Sequence, residues 1–302
     1  MKYAIDIPHF GDCADPRILA DLANTSEEAG WHGFFIWDHV ALDWPDSVVD
    51  ATVALSAIAL ATNQIRFGAM VTPLPRRRPW KFARETVSLD HLSGGRLNVG
   101  VGIGVLDAEF KNMGEAPDFK TRGEMLDEGL EALTGLWGGK PWDFDDTMTY
   151  EGQYYTVRDA LFWPKPVQTP RIPIWVAGMW PNKAPFRRAA KWDGVVPIHV
   201  NYSAGQMLSP GDTQDIVAFI RSQRADSLTA ARTGESFDTA IAGTTTGMSQ
   251  DQAASHVSEY AAAGATWWLE DLTPIHFDWE WGPPPWPMDR MRARIEAGPP
   301  KY

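Results

Sequence analysis

The residues best able to do chemistry in this chain stand directly after short apolar runs. His39 follows GFFIW at 33–37, with Asp38 immediately before it. Histidine exchanges protons near neutral pH, so one placed at a strand end can donate or relay a proton. It can also merely cap the following loop, but the crowding of Trp37, Asp38 and His39 into one corner favours the functional reading. His9, His199 and His276 stand at comparable points. Four strand-end histidines raise a second reading, a metal-dependent hydrolase, since a metal site needs three or more converging ligands. The chain has no HxH after its first strand and no clear ligating carboxylate or lysine beside these histidines, so this reading, metal included, ranks well below the first. A third, a non-catalytic binding protein, has nothing specific in its favour.

Gly100, Gly102 and Gly104 alternate along one strand. Strand glycines often mark the close approach of a ligand or of another backbone, and a flat ring pressed against the strand would need them. Residues 178–183 and 243–247 lie between a strand and a helix, where free N–H groups can bind an anion. Asn182, Lys183 and the hydroxyls of Thr244, Thr245 and Thr246 could assist; a capped turn explains either segment equally well. The chain holds 15 Trp against 7 Tyr. Most should be packing residues, while Trp37, Trp44, Trp175 and Trp180 sit where strands end and could line an aromatic pocket.

The elements that must position these residues alternate. Apolar strand-like segments are expected at 3–7, 33–37, 64–71, 97–101, 174–177, 194–198, 237–242 and 266–269, each followed by a helical pattern. Asp15-Pro16 and Ser249 read as helix starts, and Ser93-Gly94-Gly95 as a helix stop. Eight strand–helix repeats point to an α/β fold of the (β/α)8 barrel type, with the site at the C-terminal ends of the strands. An open doubly wound sheet is the alternative, disfavoured because no GxGxxG opens a helix near the start. The alternation breaks after the fourth strand. A helix is expected at 122–137 and a small hairpin within 149–157. Residues 141–173 read as an insertion, a lid over the C-terminal mouth, within one domain spanning 1–302.

A formal charge of −12 and a pI near 5.0 argue against nucleic-acid or anionic-membrane partners. The one basic run, Arg76-Arg77-Arg78, reads as a solvated loop, with a contact to an anionic ligand as the lesser possibility. One cysteine, Cys13, leaves no intrachain disulfide. No signal peptide and no apolar run of about 18 residues is evident, so the expectation is a soluble cytoplasmic protein.

Several stretches resemble the bacterial luciferase-like monooxygenase family. Residues 28–39 (EAGWHGFFIWDH) are similar to that family's "EAGFD…DH" stretch, and LDHLSGGR at 89–96 with GVGIG at 100–104 to its "LDxLSGGRxxxGVGxG" motif. Asp107-Ala108-Glu109-Phe110 continues it, and Tyr150-Glu151-Gly152, PKPVQ at 164–168 and AAKWDG at 189–194 follow in the family's order. The resemblance implies a barrel that binds reduced FMN, or the deazaflavin F420, at its mouth. It implies that Ala69, Met70 and Val71 lie behind the ring, often with a non-proline cis peptide. Asp38, Gly102, Ile103 and Gly104 would lie near the cofactor, and its phosphate near Gly178, Met179 and Asn182. His39 would be the catalytic proton donor, and Trp37, Trp44, His9 and His199 the substrate pocket. A small organic substrate, a possible flavin reductase partner and a homodimer are further implications. F420 members that oxidise a sugar phosphate carry a glutamate just after the strand-four glycines; here Val105 stands there.

Overall fold

The structure, a computed structural model, describes residues 1–116, 118–139, 145–225, 237–279 and 285–301. Strands and helices alternate from the start: β1 (Lys2–Ile7), α1 (Pro16–Glu28), β2 (Gly33–Ile36), α2 (Ala51–Ala61), β3 (Arg66–Ala69), β4 (Thr72–Pro73), α3 (Pro79–Ser93) and β5 (Val99–Gly102). Then come α4 (Phe119–Trp137) and the hairpin of β6 (Met148–Glu151) and β7 (Thr156–Ala160). Alternation resumes with β8 (Ile174–Trp180), α5 (Lys183–Ala189), β9 (Gly194–His199), α6 (Pro210–Ala225), β10 (Asp238–Gly243), α7 (Gln250–Ala262), β11 (Trp267–Asp271) and α8 (Met288–Glu296). Among the described residues nine strands pair in parallel, in the order β3-β2-β1-β11-β10-β9-β8-β5-β4. A parallel bridge joins Phe67 of β3 to Leu97, just ahead of β5, so the sheet closes on itself as the expected barrel.

The strand expected at 64–71 is two pieces. β3 pairs with β2 and β4 pairs with β5, with Met70 and Val71 between them. The Met70–Val71 peptide bond is cis, where the resemblance placed one. Helix boundaries follow local chemistry. Asp15 accepts the Arg17 N–H at 2.8 Å and Pro16 opens α1. α3 stops at Gly94, whose φ of 65° suits a residue without Cβ. Ser249 and Gln252 form a capping box on α7.

Alternation along the strands puts Ala4, Phe35, Met70, Trp175, Val196, Ala240, Trp267 and Leu269 inside the barrel. Phe35, Trp175 and Trp267 pack with ring centroids 5.4 to 6.1 Å apart and plug it. A larger apolar cluster fills the space between strands and helices. Trp175 is therefore part of the plug rather than of a pocket. Trp180 turns outward onto Phe186 of α5, with Lys183 over its ring.

Within the insertion the expected hairpin forms, and it docks on α4. Glu128 accepts the backbone N–H groups of Gln153 and Tyr154 at 2.9 Å, and Tyr150 and Tyr154 hydroxyls reach Glu131 and Glu124. The following stretch runs along α3, where Arg84 meets the Trp163 carbonyl and His91 the Lys165 carbonyl. Backbone N–H groups need partners on any buried face, and here helix side chains supply them. Residues 141–144 of the insertion lie outside the described residues.

Candidate active site at the barrel mouth

At the end of β2, His39 meets His9 from the end of β1. Its side chain is 18% exposed, and its Nδ1 lies 3.3 Å from Oε1 of Glu109, a side chain only 1% exposed. The same Oε1 accepts the Val40 N–H at 2.7 Å. Nε2 of His39 has no protein partner among the described residues and faces the accessible side. A carboxylate behind one imidazole nitrogen fixes the tautomer and leaves the other nitrogen to work. Burial pushes the Glu109 carboxyl up, but the bond from His39 and the Arg76 charge outweigh it, and the group sits below its ordinary value.

Sequence reading did not single out Glu109. It stands four residues beyond Val105, in the DAEF stretch, and the chain carries it back. Gly104 has a φ of +75°, and a Cβ there would meet the Phe110 ring at 2.2 Å. Arg122, buried over that ring, donates to the Gly104 carbonyl at 3.2 Å. The Ala108 N–H binds Asp43 at 3.0 Å, which ties this turn to the loop after β2. Asp107–Glu109 and Lys111–Met113 form two short 3-10 turns.

His9 supports His39 from behind. It is fully buried, and its Nε2 lies 3.1 Å from the backbone N and O of His39. Burial pushes His9 down to about 4, so it is neutral at physiological pH and accepts the His39 N–H. It therefore positions His39 rather than lining a substrate pocket. Phe10, also missed, is the hub of an aromatic cage. Its ring lies 5.6 to 6.2 Å from those of Trp37, His39, Trp44 and Trp286. Of these Trp44 is the most open, at 39% exposed.

Asp38 is buried and held by two arginines. Arg76 Nη2 donates to its Oδ1 at 2.9 Å and to its carbonyl at 2.6 Å, and Arg77 Nη2 reaches both carboxylate oxygens at 2.9 and 2.8 Å. The Arg76-Arg77 run is thus not a solvated loop; these two side chains are 5% and 16% exposed. Burial would raise the Asp38 carboxyl, but the Arg77 and Arg76 charges prevail and hold it at about 2. The clamp fixes the end of β2, and with it the backbone entering His39.

The other expected cofactor residues divide by face. Val71 and Gly102 meet on the inner wall: a Cβ on Gly102 would touch Val71 Cγ2 at 2.8 Å and Ala177 Cβ at 3.5 Å. Ala69 faces the helices and borders a small cavity of about 20 Å³ with Asp38 and Arg77. Met70 lies in the plug, and Ile103 packs toward the outer cluster. On β8, Gly178 is turned to α5, where a Cβ would meet Pro185 at 2.8 Å, while Met179 shares the inner face with Trp175. Asn182 caps α5 through its backbone without a side-chain bond. His199 accepts the Asn201 N–H at 3.0 Å, and His276 binds Asp271. Of the four strand-end histidines only His9 and His39 meet, and among the described residues no three metal-ligating side chains converge. The metal reading loses its ligand set.

Directly above the plug the floor of the mouth is acidic. Asp6 of β1 and Asp271 of β11 are register partners two residues beyond Ala4 and Leu269, on the same inner face. Burial and the neighbouring Asp271 hold the Asp6 carboxyl well above its ordinary value, against a hydrogen bond from Trp37. Above the ordinary carboxylate range the folded state therefore keeps a proton that the unfolded chain releases, and stability falls as pH rises. Asp6→Asn is expected to raise the melting temperature at pH 7–8 and to leave it unchanged near pH 3, as differential scanning calorimetry would show.

A sequence model described as luciferase-like monooxygenase matches residues 7–295. The chain belongs to this family. It is 27% identical over 186 residues to the oxygenase component of a flavin-dependent trigonelline monooxygenase from Acinetobacter baylyi, a match covering 60% of this chain and 49% of that protein. It is 31% identical over 191 residues to an F420-dependent glucose-6-phosphate dehydrogenase from Amycolatopsis mediterranei, covering 62% of this chain and 54% of the relative. The match thus spans about half the length of these relatives. Among solved structures, an F420-dependent secondary alcohol dehydrogenase bound to an F420-acetone adduct superposes with a TM-score of 0.73 at 15% identity, over 89% of this luciferase-like chain and 92% of that one. That likeness shows the shared barrel. No described helix is long and apolar enough to cross a membrane.

Proposed function

We propose that this luciferase-like protein is a monooxygenase that uses reduced FMN at the barrel mouth to oxidise a small organic substrate. The His39–Glu109 pair, at the mouth of a barrel of this family, carries the reading. The inner wall of Val71, Gly102 and Ala177 fits the flat ring of a flavin: Gly102 has no side chain and Ala177 a single methyl, so the wall is apolar and shallow. Bound reduced flavin would supply the electrons and the oxygen-activating chemistry.

The chain's residues do the rest. His39 moves a proton through Nε2, with Glu109 stabilising the charged imidazole from Nδ1. His9 and the Asp38 clamp hold the His39 backbone. Phe10, Trp37 and Trp44 form an aromatic corner that excludes water and receives apolar substrate surface. A cytoplasmic homodimer supplied by a separate flavin reductase belongs to the same proposal. The dimer is supported by Val53 and Leu60, which α2 leaves 53% and 72% exposed, and light scattering tests it.

The second reading is hydride transfer with F420 and without oxygen, supported by the F420-dependent relative. A substrate panel separates the two. Oxygen uptake with reduced FMN supports the first. Anaerobic reduction or oxidation of F420 with no oxygen uptake replaces it with the second.

A further inference from the structure

We propose that Asp6, paired with Asp271 on the floor of the mouth, selects substrates that carry a protonated amine. This rests on the oxidoreductase reading above and names its substrate class. The two carboxyls are not equally served. Asp271 accepts the Thr273 N–H at 2.9 Å on Oδ1, and His276 at 3.1 Å and the Tyr202 hydroxyl at 3.3 Å on Oδ2. Asp6 receives only the Trp37 side chain, and its Oδ1 is buried with no partner among the described residues. Asp6 is itself 8% exposed. A buried polar atom without a partner is costly unless a ligand or water satisfies it.

Positive charge on the floor goes to Asp271: burial would lower His276, but its bond to Asp271 and that carboxylate's charge hold it above its ordinary value. Arg76 and Arg77 are committed to Asp38, and Lys183 to the Trp180 ring. The titratable groups that face the pair, Tyr202 and His276, both bind Asp271. An ammonium group on Asp6 Oδ1 supplies the missing donor together with a positive charge, and charge-assisted bonds of this kind are the strong ones. The Trp37 and His39 rings lie 6.0 Å apart, so an amine anchored at Asp6 is one side chain away from the proton-moving group.

Calorimetry of the full-length protein at pH 7.5 tests this with n-butylammonium, n-butanol and butan-2-one as probes. The cation should bind at least about tenfold more tightly than either neutral probe, and Asp6→Asn should weaken it roughly ten- to a hundredfold. The preference for the cation over the neutral probes is read in the wild type and needs no variant. Equal binding of the neutral probes, no binding of the cation, or an unchanged affinity in Asp6→Asn overturns the proposal. FMN and F420 titrations on the same wild-type sample separate the two failures: a cofactor that binds while the ammonium does not rejects the substrate class alone.

Discussion

Replacing His39 with alanine is expected to lower turnover roughly 10²- to 10⁴-fold while changing cofactor affinity by less than about threefold. The argument is geometric. Nδ1 of His39 is tied to Glu109 and its backbone to His9, so only Nε2 remains for a reacting group. A group held this way contributes to a proton transfer and little to the grip on a cofactor. Glu109→Gln should give a smaller loss in kcat, because the imidazolium loses its counter-charge. Steady-state kinetics on a substrate found by oxygen uptake, with flavin affinity measured separately, provides the check. Equal losses in turnover and in affinity would mean that His39 only builds the pocket.

Asp38→Asn is expected to destabilise the fold by about 3–5 kcal/mol, as is usual when one partner of a buried ion pair is removed. The substitution keeps the shape but leaves Arg76 and Arg77 buried without their shared counter-charge. Since Asp38 titrates at about 2 in the folded chain, against an ordinary value of 3.8, its contribution is full above the ordinary carboxylate range. It is lost as pH falls through the folded value. Urea unfolding at pH 7 should show the loss, and the gap between wild type and Asp38→Asn should narrow in acid. The exposed Arg158–Glu151 pair, 72% and 64% exposed, provides the contrast, because solvent screens it. Its removal should change little.

The periodic parts of the fold were legible in the sequence. Apolar runs such as GFFIW mark buried parallel strands, and Asp15-Pro16, Ser249 and Ser93-Gly94-Gly95 mark helix ends, because the physics of each is local. Contacts set by the path of the chain between elements were not. Glu109 reaches His39 only through the turn at Gly104 and the packing of Phe110 under Arg122, which no spacing rule encodes. Arg76 and Arg77 look like surface residues until their partner, 38 and 39 residues earlier, is known to be buried. The glycines of β5 suggested a ligand, and Gly102 does border the inner wall. Gly104 answers instead to a backbone turn and a ring. In the insertion, the alternating aromatics show that a hairpin forms, not which helix side chains receive it.

Fluorescence titration of the purified protein with FMN and F420, each oxidised and reduced, tests the central claim most directly. The account predicts saturable binding of at least one reduced cofactor, retained in His39→Ala and weakened when Gly102→Val fills the inner wall. Failure of both cofactors to bind in either redox state would contradict it.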